Sequence, residues 1–190
     1  MITRLHQLTF AFTLLFAAAT VAQEEMPKPG PEHEKLAASA GTWDATMVSQ
    51  APDGTEMTTK GVSVQKMTLG GFWLVDDFSA DFMGMPFTGH GMTGYDPIKG
   101  KYVATWMDSM SPFLMLMEGN YDATGKVLTM TGNGVGMDGQ PAKYRNVSTF
   151  VDADTTTFEM YVTGADGKEA KMMTITYKRR AAKGSEKKEH

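Results

Sequence analysis

The sequence predicts an all-β protein, a single antiparallel up-and-down β-barrel of about ten strands, preceded by a short N-terminal helix. Three observations carry that prediction. Runs of strand length, rich in β-branched, aromatic and methionine residues, follow one another from Gly41 onward. Gly, Asp and Pro punctuate them at near-regular intervals. No gap between runs has room for a crossover helix, which parallel pairing requires, so consecutive strands are expected to pair antiparallel. An open sheet of this many strands would leave edges free to aggregate, and closure removes them.

Taken in order, Met1 to Ala22 reads as a secretory signal. Arg4 supplies a basic start, Leu8 to Val21 is apolar apart from three Thr, and Thr20-Val21-Ala22 ends on a small residue. Cleavage near Ala22 is expected, giving a secreted or periplasmic protein, and the apolar run is short for a membrane span. Residues 23–31 form a linker of prolines and charges. Glu32 to Ala40 is a helix candidate that Gly41 ends, placed as a lid or plug at one barrel end. Strands are expected near 42–50, 56–68, 72–81, 86–95, 101–108, 113–121, 126–133, 142–151, 155–163 and 168–178, so the barrel domain covers 32–178.

The connections carry hairpin chemistry: Asp53-Gly54, Gly70-Gly71, Asp96-Pro97 with Gly100, Asp122 to Gly125, Asp138-Gly139, Asp152 to Asp154 and Asp166-Gly167. Phe158, Met160 and Val162 alternate with Glu159, Tyr161 and Thr163. Tyr102, Ala104 and Trp106 alternate with Val103, Thr105 and Met107. Phe113 to Met117 is apolar on both faces, which predicts either the most buried strand or a subunit interface, and hence a homo-oligomer. Residues 179–190 mix Lys, Arg, Glu, Gly and Ser and read as a charged, disordered tail.

Composition narrows the chemistry. The chain has no cysteine, which excludes disulfides, thiolate metal sites and a Cys nucleophile. About 168 of the 190 residues remain after cleavage, enough for one domain stable on packing alone. The net charge of −4 carries no basic stripe with interleaved aromatics through the body, so nucleic acid is not an expected partner. There is no Gly-x-Ser-x-Gly, His-Glu-x-x-His or phosphate-cradling loop, and hence no recognisable catalytic motif.

Gly89-His90-Gly91-Met92-Thr93-Gly94 spells the string of a dinucleotide-binding loop. Such a loop must open a helix, whereas Tyr95-Asp96-Pro97 follows here, so the glycines are read as room for a strand to bend or for a bulky neighbour. His90 is the one histidine of the barrel body, and an imidazole projecting into the lumen with Met92 on the same face would suit a haem iron. Met83-x-Met85, Met107-x-x-Met110 and Met115-x-Met117 would suit copper(I), or else line an adaptable apolar interior. No cofactor is the main expectation, with haem or copper as the alternatives. Asp76 and Asp77 point to opposite faces. If Asp76 shares the face of Phe72, Leu74 and Phe78, it would hydrogen-bond a ligand or pair with Arg145.

Three strings are shared with a known bacterial family: Met26 to His33 with Leu36 to Trp43; Gly94 to Pro97 followed by Lys101 to Val103 and Thr105 to Ser109; and Phe158 to Tyr161 through Asp166 to Glu169 and Lys171 to Met173. The chain resembles the domain-of-unknown-function family numbered 1579 over nearly all of its length after Ala22. That resemblance implies a lipocalin-like (calycin) barrel and no established activity. Gly41-x-Trp43 also resembles the first-strand signature of calycins, in which the Trp closes a barrel end under a basic residue of the last strand. Lys178, Arg179 and Arg180 stand in place for that contact. The expectation is a binder of a small apolar or amphipathic molecule, with Phe72, Leu74, Asp76, Phe87, Trp106 and Tyr144 as ligand-binding candidates and Trp43 with Arg179 as the structural barrel end. The alternatives are a haem or copper protein, an enzyme using lumen carboxylates, or an interaction protein whose barrel its own side chains fill.

Overall fold

The computed structural model describes residues 26–50, 54–82, 84–136 and 139–181. The segment read as a secretory signal, the first residues of the expected linker, Met83, Asp53, Asp138 and the residues beyond Ala181 lie outside the described residues. Helix α1 spans Pro31–Ala37 and precedes ten strands: β1 Gly41–Gln50, β2 Glu56–Thr68, β3 Trp73–Phe82, β4 Met85–Asp96, β5 Lys101–Asp108, β6 Ser111–Tyr121, β7 Val127–Val135, β8 Pro141–Asp152, β9 Thr155–Thr163 and β10 Glu169–Arg179. Each strand pairs antiparallel with the next, and β1 closes the barrel on β10. The turn glycines Gly54, Gly70, Gly100, Gly125, Gly139 and Gly167 all take positive φ, the backbone state that tight connections between adjacent strands require.

Alternation sets the inside of the barrel. In β1 the buried residues are Trp43, Ala45 and Met47; in β3 Leu74 and Phe78 are buried with Asp76 between them on the same face. Two apolar clusters fill the ends of the lumen. Leu36 of α1 joins Leu74, Tyr102, Met117, Leu128 and Met130 at the helix end, and Ala45, Met47, Phe78 and Ile175 form the second.

The helix is shorter than the sequence suggests, ending at Ala37 instead of Ala40. The carbonyls that a longer helix would leave unpaired are used elsewhere: Arg179 Nη2 donates to Ala38 O at 2.7 Å, Arg179 Nη1 to Ala40 O at 2.6 Å, and Trp43 Nε1 to Ser39 O at 2.9 Å. Gly30 precedes the helix, and its N–H donates to His33 Nδ1 at 3.0 Å. Tyr102 Oη donates to Glu32 O, tying α1 across the barrel end as the plug the sequence predicts.

The Arg179 guanidinium lies 4.0 Å from the centre of the Trp43 ring. Arg179 therefore belongs to the barrel, not to a tail, and its Cα pairs with Trp43 in the β1–β10 register. Arg180 is also held: its N–H donates to Thr42 O at 2.8 Å and its guanidinium reaches Asp44 Oδ1 at 2.6 Å.

The double-sided apolar stretch of β6 is not the most buried strand. Phe113, Leu114 and Leu116 are all more than half exposed, and only Met117 is buried. With Met107 and Met110 they give the β5–β6 hairpin an apolar surface at the barrel end opposite α1. Among the described residues no helix is long and apolar enough to cross a membrane.

Candidate functional site

The barrel encloses a cavity of about 550 Å³. It runs from Leu36 and Ser39 under the helix to Met110, Phe113 and Leu114 in the β5–β6 hairpin, so it occupies the length of the lumen. Its wall is mostly aromatic and thioether: Phe78, Phe87, Phe150 and Phe158 with Met47, Met115, Met117, Met130, Met160 and Met173. Unbranched methionine adapts to irregular shapes, which suits the uneven wall of an open lumen.

One carboxyl stands deep in that wall. Asp76 is held inward by the alternation of β3, opposite Gln65 of β2 and Gly91 of β4. Ser63, which has no exposed surface, donates from Oγ to Asp76 Oδ1 at 2.6 Å. Gln65 Nε2 donates to Ser63 Oγ at 3.0 Å and more distantly to Asp76 Oδ2 at 3.4 Å. Burial pushes the Asp76 carboxyl up to about 6; the Ser63 bond pulls the other way, and the Asp77 charge adds to the rise. Tyr177, also in the lumen wall, is raised by burial and by the Asp76 charge, so it stays a neutral phenol.

Four other polar side chains of the wall take partners in the frame, in whole or in part. Trp106 Nε1 donates to Asp108 Oδ2 at 3.0 Å, and Asp108 Oδ1 accepts the Met110 N–H at 3.0 Å. Tyr144 Oη donates to Val135 O at 2.7 Å. Asn146 Nδ2 contacts Met117 Sδ at 3.1 Å, while its Oδ1 is buried without a hydrogen-bond partner.

The structure brings Leu74, Asp76, Phe87, Trp106 and Tyr144 together on the lumen wall. Phe72 is not among them. The 3-10 turn at Leu69–Gly71 delays β3 until Trp73, and Phe72 falls in the turn with its ring edge-on to His33 at 5.2 Å. Phe87 meets Phe82 at 5.1 Å and Phe78 at 6.0 Å, all within the wall.

His90 does not project into the barrel. Asp77 and His90 are register partners on the outer face, one residue out of phase with Asp76 and Gly91, and His90 Nδ1 lies 2.7 Å from Asp77 Oδ1. Met92 shares that outer face. Met107 faces outward as well, on the opposite side of the sheet from Met115 and Met117. Among the described residues no cluster of His, Asp or Glu is arranged to hold a metal ion.

Asp76 does not pair with Arg145 either. Arg145 lies on the outer face of β8, forks onto Glu169 at 2.6 and 2.8 Å, and stacks 3.9 Å from the centre of the Tyr161 ring. A wide depression of about 790 Å³ runs along this outer face, and its charges neutralise one another as Lys99 with Glu118 and Arg145 with Glu169.

The sequence reading missed Ser63, Gln65 and Leu36. The two β2 residues were within reach of it: counting back from the Gly70-Gly71 turn sets Gln65 opposite Asp76, and alternation then puts Ser63 on the same face.

A family model described as a protein of unknown function (DUF1579) matches residues 28–179. No curated protein matches the chain. Among solved structures, Rv2717c from M. tuberculosis superposes with a TM-score of 0.60 at 13% identity, covering 80% of this chain and 99% of that one. The S-type phycobiliprotein lyase CPES from Guillardia theta superposes with a TM-score of 0.53 at 11% identity, covering 82% of this chain and all of that one. At such identities the likeness is one of fold.

Proposed function

The chain belongs to the DUF1579 family, and from its barrel geometry we propose that it binds a small apolar or amphipathic molecule in the lumen and does not transform it. The observation that carries the reading is the cavity of about 550 Å³ between Leu36 and the β5–β6 hairpin, a size within the ordinary range of ligand sites. A wall of Phe and Met side chains is best covered by an apolar body. The fold likeness to Rv2717c and the lyase supports a barrel and supplies no ligand. Export is part of the proposal and rests on the signal-like Met1–Ala22 stretch.

Native mass spectrometry of the protein purified gently from the exported fraction of its own host tests both parts. The expected result is a chain beginning near Gln23 that carries a bound organic mass; haem or copper would announce itself in the same spectrum. A chain that carries no mass and fails to enhance the fluorescence of N-phenyl-1-naphthylamine, a neutral apolar dye, would overturn the lumen reading.

A further inference from the structure

We infer that the ligand carries a cationic amine head seated on the Asp76 carboxylate, with its apolar body lying along the Phe and Met wall. This rests on the lumen-binding reading above and deepens it by naming the ligand's chemical class.

The charge inventory of the lumen is the first argument. Among the described residues that line the cavity there is no Lys, Arg or His, and the ionisable acids are Asp76 and Asp108. An amphiphile with a carboxylate or phosphate head would meet acids and no cation there, and a buried anion without a partner is strongly disfavoured. Asp108 holds the mouth, with one oxygen on the Trp106 indole N–H and the other on the Met110 N–H. Asp76 is the acid deep in the wall, and its Oδ2 has only a long contact, to Gln65.

The second argument is how Asp76 is furnished. Its donors are neutral: Ser63 takes Oδ1 at 2.6 Å, and Oδ2 has one long contact to Gln65 at 3.4 Å. Elsewhere around it, β4 presents Gly91, which has no side chain, and β10 presents the neutral phenol of Tyr177. The inward residues of β1, Trp43, Ala45 and Met47, carry no charge. Asp77 and His90 sit behind it on the outer face, engaged with each other. The carboxylate thus faces a low-dielectric lumen without a counter-charge, and an ammonium with its N–H donors aimed at Oδ2 would supply both charge and hydrogen bond. The position is deep in the wall, so a head group anchored there leaves the remaining lumen to an apolar tail.

Protonation then controls occupancy. With its carboxyl held near 6, Asp76 is charged at pH 8 and mostly neutral at pH 5, whereas an alkylamine stays cationic at both.

Titration calorimetry of the full folded protein with decylamine, decanol and decanoate at pH 8 and pH 5 decides the matter. The expected order at pH 8 is decylamine at least about tenfold tighter than decanol, with decanoate weakest, and the amine preference falling to under about threefold at pH 5. Asp76→Asn should lose the amine preference at pH 8, binding decylamine no more than about threefold tighter than decanol. If that variant fails to fold, the pH pair on the native chain decides alone. Equal binding of decylamine and decanol at pH 8 overturns the cationic head and leaves the lumen reading standing. Binding of none of the three overturns both.

Discussion

The indole of Trp106 occupies the space that a side chain at Gly89 would need: a Cβ built on Gly89 would collide with the benzo edge of the ring, and one on Gly91 would lie 3.1 Å from Cε3. The Gly-x-Gly-x-x-Gly string of β4 is therefore a pair of tryptophan seats. Gly89 and Gly91 seat Trp106 on the lumen side, and Gly94 seats Trp73 on the outer side, where a Cβ would come within 2.5 Å of the ring. No helix follows, and nothing about the string concerns phosphate.

Gly89→Ala should accordingly destabilise the barrel by about 1–3 kcal/mol through overpacking, and Gly91→Ala by less, because its neighbour needs to yield only slightly. Urea unfolding of both variants measures this. Combining Gly89→Ala with Trp106→Leu should recover part of the loss, since the pair shares one volume. Strict additivity of the two substitutions would show that the indole does not sit on Gly89.

Trp43 and Arg179 should behave as a unit at the barrel end. Trp43→Ala removes a ring that is 3% exposed and should cost about 3–5 kcal/mol. Arg179→Lys retains the cation but loses the fork that reaches the Ala38 and Ala40 carbonyls, so it should cost about 1–2 kcal/mol. Thermal unfolding of the two single variants and the double variant would give a coupling smaller than the lysine variant's own loss, the share carried by the guanidinium lying on the Trp43 ring. A coupling near zero would mean that Arg179 acts on the backbone alone.

The barrel was legible in the sequence because two local signals agree. Turn residues fix where each strand ends, and period-2 alternation in strands such as β9 fixes which side faces in. The site was legible in part, for the same reason. Leu74, Asp76, Phe87, Trp106 and Tyr144 follow from strand parity, whereas Phe72 depends on where β3 starts, which the positive-φ pair Gly70 and Gly71 delays by one residue. His90 lies in a strand whose neighbours at 89 and 91 are glycines, so the pattern around it gives no inward or outward preference and the imidazole could be read on either face. Exposed Phe113, Leu114 and Leu116 defeat hydrophobic patterning outright, since apolar residues at a barrel mouth look like core in one dimension.

Removing the His90 imidazole should change little. His90 and Asp77 are both about half exposed, and exposed pairs contribute roughly 0–1 kcal/mol. His90→Ala is expected to leave lumen binding of N-phenyl-1-naphthylamine intact and to shift the urea midpoint slightly. Loss of dye binding with the fold retained would place the imidazole in the binding path after all.

Asp76 makes stability depend on pH in a defined direction. Its carboxyl is raised from 3.8 to about 6 in the folded state, so between those values the folded chain holds the proton more tightly than the unfolded chain. Stability from this group therefore falls as pH rises through that window, and the penalty is complete above it. Asp76→Asn cannot ionise. Its stability relative to the native chain should rise by roughly 2–3 kcal/mol between pH 4 and pH 8, at about 1.4 kcal/mol per unit. Urea midpoints at pH 4, 6 and 8 would read this, and a constant gap across the series would mean that Asp76 is well solvated in the lumen.

The two ends of the barrel should differ in how they govern exchange of a bound molecule. At the helix end, Leu36 is 3% exposed, Tyr102 ties to Glu32, and the Trp43 and Arg179 donors hold the chain from Ala38 to Ala40, so opening it requires breaking core contacts and several hydrogen bonds. At the other end the lumen is bordered by Met110, Phe113 and Leu114, each more than half exposed, and their removal costs little packing. Leu36→Ala should thus lower stability by about 2–4 kcal/mol yet change the dissociation rate of N-phenyl-1-naphthylamine little, as long as the barrel stays folded. Phe113→Ala should do the reverse, speeding dissociation severalfold with a stability change within about 1 kcal/mol. Stopped-flow dilution of the dye complex separates the cases. Faster release from the Leu36 variant alone would mean that α1 is the gate, and that the apolar β5–β6 hairpin only borders the cavity.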